Sequence, residues 1–390
     1  MLAVLALTVL GTGVGVVTGL TPGIHPNTLI AISLPLLLDL PPGTALPLIA
    51  AAATAHSVLN HIPAILIGVP DQDSALAALP GKQMLLQGNG FTAAATTING
   101  GLRATTLTVL SLPVLLLILG PLYQLAGPYL PFLVSVVFGV MVIDADRVHI
   151  ALGITVLSSV VGMLTLTAPL PSEEALFPLF TGLFGVPVLV ASRGGEVPEQ
   201  EPPDDAVVLP ARGSAIGSLA GILAGILPGL GPSATVALFA RYLDRHQFLA
   251  ALGGINTADA LVSIVALYAI GRPRSGAAIA VQQLVRIDTG TLLLVVGASL
   301  IAVSGSYIIG KVLLPHVLAG YNMLDQERLT NGLLSFLTVL VGIVAGPGGL
   351  AILTAATGVG LLCHRLHAPM TLCMACLIVP FLLHSFGVTL

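Results

Sequence analysis

One pattern of glycines and prolines occurs twice in this chain, 206 residues apart. GTGVGVVTGLTPGIHPNT begins at Gly11 and GSLAGILAGILPGLGPSA at Gly217. Gly11, Gly15, Gly19, Pro22, Gly23 and Pro26 thereby fall on Gly217, Gly221, Gly225, Pro228, Gly229 and Pro232. Six identities in one register, in the two residue types that most constrain a backbone, mark an internal repeat. Weaker likeness follows: Thr54-Ala55 beside Thr257-Ala258, and Asp73-Ser74-Ala75 beside Arg274-Ser275-Gly276. The chain therefore reads as two homologous halves.

The solvent of those halves follows from charge. Of 390 residues, 56% are hydrophobic and 8% charged, where a soluble domain carries roughly 25% charged residues. A water-soluble fold of this length cannot hide so much apolar surface. A bilayer removes the problem, with spans of about 20 apolar residues. The expected fold is an all-α polytopic membrane protein with about 10–12 membrane helices, broken or re-entrant hairpins among them, in the cell membrane. Expected helices cover 1–21, 27–38, 44–69, 92–119, 128–143, 148–168 and 173–191. In the second half they cover 213–227, 232–243, 248–271, 276–303, 305–318, 331–346, 349–363 and 369–388. The start, MLAVLALTVLGTGVG, lacks a basic region and reads as a retained first span. Residues 192–212, with five acidic residues and four prolines, read as a flexible hydrophilic linker between repeats 1–191 and 213–390. With no Trp and only 4% aromatic residues, the interfacial belt is thin. No Lys/Arg tract suggests nucleic acid as a partner.

The repeated element carries the first candidate site. Glycines four apart share a helix face and admit another backbone. Each helix then meets Pro-Gly-x-x-Pro, which breaks it. Broken backbone at membrane depth persists only where protein or a watery cavity satisfies it. Paired breaks in two halves point to a transporter's binding site, with restarting helix ends suited to anions. The candidate substrate-binding residues are Pro22, Gly23, His25, Pro26, Asn27 and Thr28, then Pro228, Gly229, Gly231, Pro232, Ser233 and Thr235. Kinked helices or surface loops without a ligand are the plainer reading.

The middle of each half adds polar groups. The first has His56, Asn60 and His61, then GVPDQDS with Asp73 and Ser74. The second has Asn256 and Asp259, then GRPRS with Arg272, Arg274 and Ser275. Ionisable groups inside apolar sequence are costly and mark pathways. His56, Asn60 and Asp259 are candidates for coupling to H+ or Na+, and Arg272 and Arg274 for meeting an anion. The GVPDQDS and GRPRS segments also read as ordinary surface loops. Cys363, Cys373 and Cys376, near His364 and His367, read better as small packing residues than as a metal or redox site. No GxSxG, Walker A or HExxH pattern occurs. The expectation is no enzyme, no cofactor and no resident metal.

GLTPGIHPNTLIAISLP, then ILIGVPDQDSALAALPGKQMLLQGNG, and GILAGILPGLGPSATVAL in the second half resemble the TctA family. This is the large membrane subunit of tripartite tricarboxylate transporters; the likeness is to a compact prokaryotic, archaeal branch. The resemblance implies two inverted repeats whose loops, Pro22 to Thr28 and Pro228 to Thr235, meet near the midplane. It implies an ion-gradient permease for carboxylates, with an extracytoplasmic binding protein and a small membrane subunit. AAATAHSVLNHIP stands where the family's Tyr-Gly and Gly-Gly-Ser pattern is expected. The function expected is a secondary transporter (symport) of a carboxylate or similar small anion. The alternative is a polyprenyl-phosphate flippase using the same anion site on a phospholipid carrier, and a homodimer is a further candidate assembly.

Overall fold

The structure, a computed structural model, describes residues 2–21, 30, 37, 42–67, 74–170, 172–191, 198, 200, 210–226, 231–322 and 326–388. Of the residues singled out above, Pro22, Gly23, His25, Pro26, Asn27, Thr28, Asp73, Pro228 and Gly229 lie outside that set. Every regular element among the described residues is helical. The first half holds α1 (Leu2–Leu20), α2 (Pro42–Leu59), α3 (His61–Leu66), α4 (Ala78–Leu85), α5 (Gly90–Ala126), α6 (Leu130–Ile143), α7 (Val148–Leu166), α8 (Ser172–Phe180) and α9 (Val186–Ala191). The second holds α10 (Ala211–Ile226), α11 (Pro232–Ala237), α12 (Arg245–Ile270), α13 (Gly276–Leu284), α14 (Thr289–Asn322), α15 (Gln326–Arg365) and α16 (Ala375–Ser385).

Seven stretches among the described residues are long and apolar enough to cross a bilayer, and four shorter apolar helices accompany them. Two of the seven, Thr44–Leu66 and Arg245–Ile270, are 94% and 89% buried, against 28–44% for the rest. These two are enclosed by protein. The others carry exposed Leu110, Leu117, Leu164, Ile308 and Ile343, as lipid-facing helices must. The chain is an all-α polytopic membrane protein.

The repeated glycines explain how the enclosed helices are held. A Cβ on Gly15 would stand 2.5 Å from the Ala52 carbonyl oxygen and 2.9 Å from the His56 nitrogen. One on Gly221 would stand 2.8 Å from the Ile255 oxygen and 3.1 Å from the Asp259 nitrogen. Gly11 meets Leu48 as Gly217 meets Ala251, and Gly19 meets Leu59 as Gly225 meets Val262. Every partner pair is 203 residues apart. The repeat seen in the sequence is thus a repeat of contacts, and it pairs His56 with Asp259.

These contacts also fix direction. Glycines four apart meet residues four apart in the same order, so α1 runs parallel to α2 and α10 parallel to α12. A parallel pair needs a return. Between Ile226 and Arg245 the chain travels back about 25 Å at 1.5 Å per residue. The described part of that return is α11, a 3-10 turn at Ala240–Tyr242 and extended Leu243.

The halves interlock. α5 crosses α12 where Gly100 faces the Ala250 backbone and Gly253 faces that of Thr97. Reciprocally, α14 lies on α2, with Ala302 clustered on Ala51 and Ala55. Thr108 of α5 shares a 2.8 Å hydrogen bond with Ser218 of α10. Gly305 of α14 approaches Thr12 of α1, and Thr12 and Ser218 are themselves repeat mates.

Several element boundaries differ from expectation. The break expected at Ser304 comes instead at 285–288: the Asp288 carboxylate accepts from the Thr291 nitrogen at 2.8 Å and caps α14. Gly305 continues the helix because it is packed. α12 starts at Arg245 because Asp244 caps it, accepting from the Gln247 nitrogen at 2.9 Å. α15 reverses at Gly346 (φ 60°): a Cβ on Gly349 would lie 3.5 Å from the Val341 oxygen, which no straight helix allows at that spacing. Its two arms match the two helices expected at 331–346 and 349–363. In the segment read as a linker, Gln200 is buried; its amide oxygen accepts from the Gly90 nitrogen at 2.8 Å and its nitrogen donates to the Leu85 oxygen at 2.9 Å.

Backbone-level contact at Gly221 makes a specific prediction. Gly221→Val lowers thermal stability in detergent by about 2–3 kcal/mol through overpacking. Gly13→Val, on the open face of α1 with nothing within 4 Å, leaves the unfolding temperature unchanged.

Candidate functional site

The two enclosed helices carry buried polar side chains toward the middle of the protein. α2 carries Thr54, His56 and Ser57, followed by Asn60 at its end and His61 at the start of α3; all are at most 7% exposed. α12 carries Asn256, Thr257 and Ser263, all buried, with Asp259 half-buried. Thr54, Ser57 and Thr257 return their hydroxyls to carbonyls of their own helices, a local bond that makes such residues tolerable in apolar surroundings. His56 and Asn256 instead reach sideways, to α1 and to the end of α2.

His56 Nδ1 lies 3.1 Å from Thr18 Oγ1, and that hydroxyl donates to the Gly15 carbonyl at 3.2 Å. The ring nitrogen and the hydroxyl thus join His56 to α1, with the donor set by the imidazole tautomer. Gly19 packs on the His56 backbone, so the ring is held through backbone and side chain alike.

The halves meet at Asn256. Its Nδ2 stands 3.5 Å from both Asn60 Oδ1 and His61 Nε2, at the outer limit of hydrogen bonding. Its Oδ1 is buried with no hydrogen-bond partner among the described residues, and so is Ser263 Oγ. A buried acceptor left unmade costs about 1–3 kcal/mol. The cluster is closed in this conformation: Asn60, His61 and Asn256 are 4%, 0% and 2% exposed.

The other residues named from the sequence gather around or apart from this cluster. Gly231 starts α11 in an extended conformation, and Ser233 and Thr235 on α11 are buried where it packs on α10 and α12. Buried Ser74 heads a 3-10 turn, Ala75–Ala77, that packs on α11 and α12. Arg272, Arg274 and Ser275 lie elsewhere. α12 ends at Gly271 in the left-handed conformation (φ 68°), which places the arginines beyond its tip, about 20 Å from Asn256 by helix rise. Ser275 caps α13, accepting from the Ala278 nitrogen at 3.2 Å. Cys363, Cys373 and Cys376 are buried thiols, and Gly162 packs on the Cys376 backbone. Among the described residues no group of His, Cys, Asp and Glu is placed to hold a metal.

Two residues escaped the sequence reading. Arg103 is half-buried within α5, and a lone arginine inside an apolar stretch was the available signal. Lys82, on α4 outside the spanning stretches, is 5% exposed, and burial pushes its ammonium pKa from 10.5 down to about 8. Below pH 8 both folded and unfolded chains carry the proton, and the burial penalty is complete. Between pH 8 and 10.5 only the unfolded chain keeps it, so stability rises with pH across that window. The rise is roughly 3 kcal/mol. Thermal unfolding measured from pH 7 to 10.5 shows this rise in the native chain and its loss in Lys82→Met.

A family comparison agrees with this architecture. The chain is 30% identical over 186 residues to an uncharacterized protein of Methanocaldococcus jannaschii, the match covering 47% of each chain; it thus spans about half the length of that curated relative. No solved structure matches. The sequence model of the tripartite tricarboxylate transporter TctA family matches residues 5–375. Interlocked repeats, enclosed polar helices and a match over nearly the whole length lead to one conclusion: this chain belongs to the TctA family of membrane transporters.

Proposed function

We propose that this protein is an ion-gradient-driven permease for a carboxylate or similar small anion. Its substrate would sit between the two Pro-Gly loops and the polar groups of α2 and α12. The observation that carries the reading is Asn256, whose Oδ1 is buried without a partner among the described residues where the halves meet. Free polar capacity at that depth is costly unless a ligand or water uses it in another conformation. Support also comes from the repeat, which puts His56 and Asp259 at equivalent positions. One histidine and one carboxylate, each near the middle of an enclosed helix, are suited to exchanging H+ or to holding Na+.

The inverted relation of the halves belongs to this proposal. Asn60 faces Asn256, while Ala50 and Ala53 share an apolar cluster with Ile264 and Leu267. That order favours antiparallel enclosed helices, as an axis in the membrane plane would produce. Alternating access then rocks the α1–α2 and α10–α12 pairs about the polar cluster. A binding protein that delivers the anion, and a small membrane subunit, complete the proposed system.

Uptake of labelled citrate and smaller dicarboxylates into proteoliposomes tests this, with proton or sodium gradients imposed separately. Gradient-dependent uptake is expected, reduced at least tenfold by Asn256→Ala and uncoupled from the gradient by Asp259→Asn. Folded protein that takes up no carboxylate contradicts the reading, and flipping of a polyprenyl phosphate becomes the assay to run.

A further inference from the structure

The turn after α12 holds an arrangement that the transport reading does not use. Arg272 and Arg274 both stand over the ring of Tyr123, their guanidinium carbons 5.8 and 5.5 Å from its centre. Arg274 Nη2 donates to the Tyr123 hydroxyl at 3.1 Å, and Arg274 Nε is buried with no acceptor among the described residues. Neither arginine has a carboxylate partner among those residues. Two cations thus stand against one aromatic ring, and one buried donor is unused. An aromatic face softens such a pair but does not neutralise it.

The turn itself does not demand these charges. In the register of 203 set by the glycine contacts, Gly271-Arg272-Pro273-Arg274 falls on Gly68-Val69-Pro70-Asp71. In sequence, glycine and proline recur, and the positions between and after them carry Val and Asp in the other copy. Tyr123 near the C-terminus of α5 and the arginines just beyond α12 sit at span ends, where one side of the site meets water or lipid headgroups.

We propose that Tyr123, Arg272 and Arg274 form an oxyanion-binding site at the membrane surface, distinct from the polar cluster around Asn256. Its ligand is a carboxylate or phosphate group, held by the two guanidinium forks and the unused Nε of Arg274. A soluble carboxylate and an anionic lipid headgroup share this chemistry, and the test separates them.

The full chain is placed in nanodiscs of phosphatidylcholine alone, and citrate binding is measured by calorimetry. Retention of phosphatidylglycerol is measured in parallel by native mass spectrometry. Arg272→Gln with Arg274→Gln weakens one of the two ligands at least tenfold, and the affected ligand identifies the source. Arg274→Lys keeps the charge but loses the fork, and weakens the same ligand at least threefold. Asn256→Ala leaves this binding intact even where it abolishes uptake, which keeps the two sites' fates separate. Should Arg274→Gln fail to fold, exposed Arg272→Gln alone carries the measurement. The proposal is overturned if the native chain binds neither ligand, or if both affinities survive loss of the arginines.

Discussion

Everything in this structure depends on two helices being allowed to touch backbone to backbone. Lipid supplies no hydrophobic drive for helices to associate, so close packing must supply it. Gly11, Gly15 and Gly19 do this against α2, and Gly217, Gly221 and Gly225 against α12. Any side chain at these positions would push the pair apart. Because the contacts run in the same order, each pair is parallel, and a parallel pair cannot be joined by a short hairpin. Between the described ends of each pair the chain must come back across most of the helix length.

That arrangement decides where polarity goes. α2 and α12 are wrapped by α1 and α10, and by the long α5 and α14 borrowed from the opposite half. Shielded from lipid, they and the turn after α2 carry buried His56, Asn60, His61 and Asn256. Asn256 Oδ1, an acceptor that no carbonyl can satisfy, is buried without a hydrogen-bond partner among the described residues where the halves meet. Packing thus positions a closed, partly unsatisfied polar cluster where the halves meet, and leaves Arg272 and Arg274 beyond the tip of α12.

Much of this was legible in the residues. The Gly/Pro repeat, the membrane setting and the near-equivalence of His56 and Asp259 all follow from spacing. Spacing did not reveal the parallel pairing, because glycine periodicity names a face but not the partner's direction. Arg272 and Arg274 were grouped with Asn256 on sequence proximity; the left-handed cap at Gly271 separates them by the remaining length of α12. The α14 boundary was missed because Asp288, a side-chain cap, outweighs a mid-helix Ser-Gly that packing tolerates. The reversal at Gly346 was legible, since a Gly-Pro-Gly-Gly run in a stretch too long for one bilayer crossing must turn. Gln200 was unreadable: a single buried amide inside an acidic, proline-rich segment carries no periodic signal.

The central claim is that the meeting point of α2 and α12 opens to water and substrate during transport. Asn256→Cys, with Cys363, Cys373 and Cys376 replaced by Ala, tests it through labelling by a water-soluble thiol reagent in proteoliposomes. Labelling is expected to depend on the direction of the ion gradient and to be slowed by a transported carboxylate. A thiol that stays unreactive from both sides under every gradient, or one that labels freely with no protection, would contradict it.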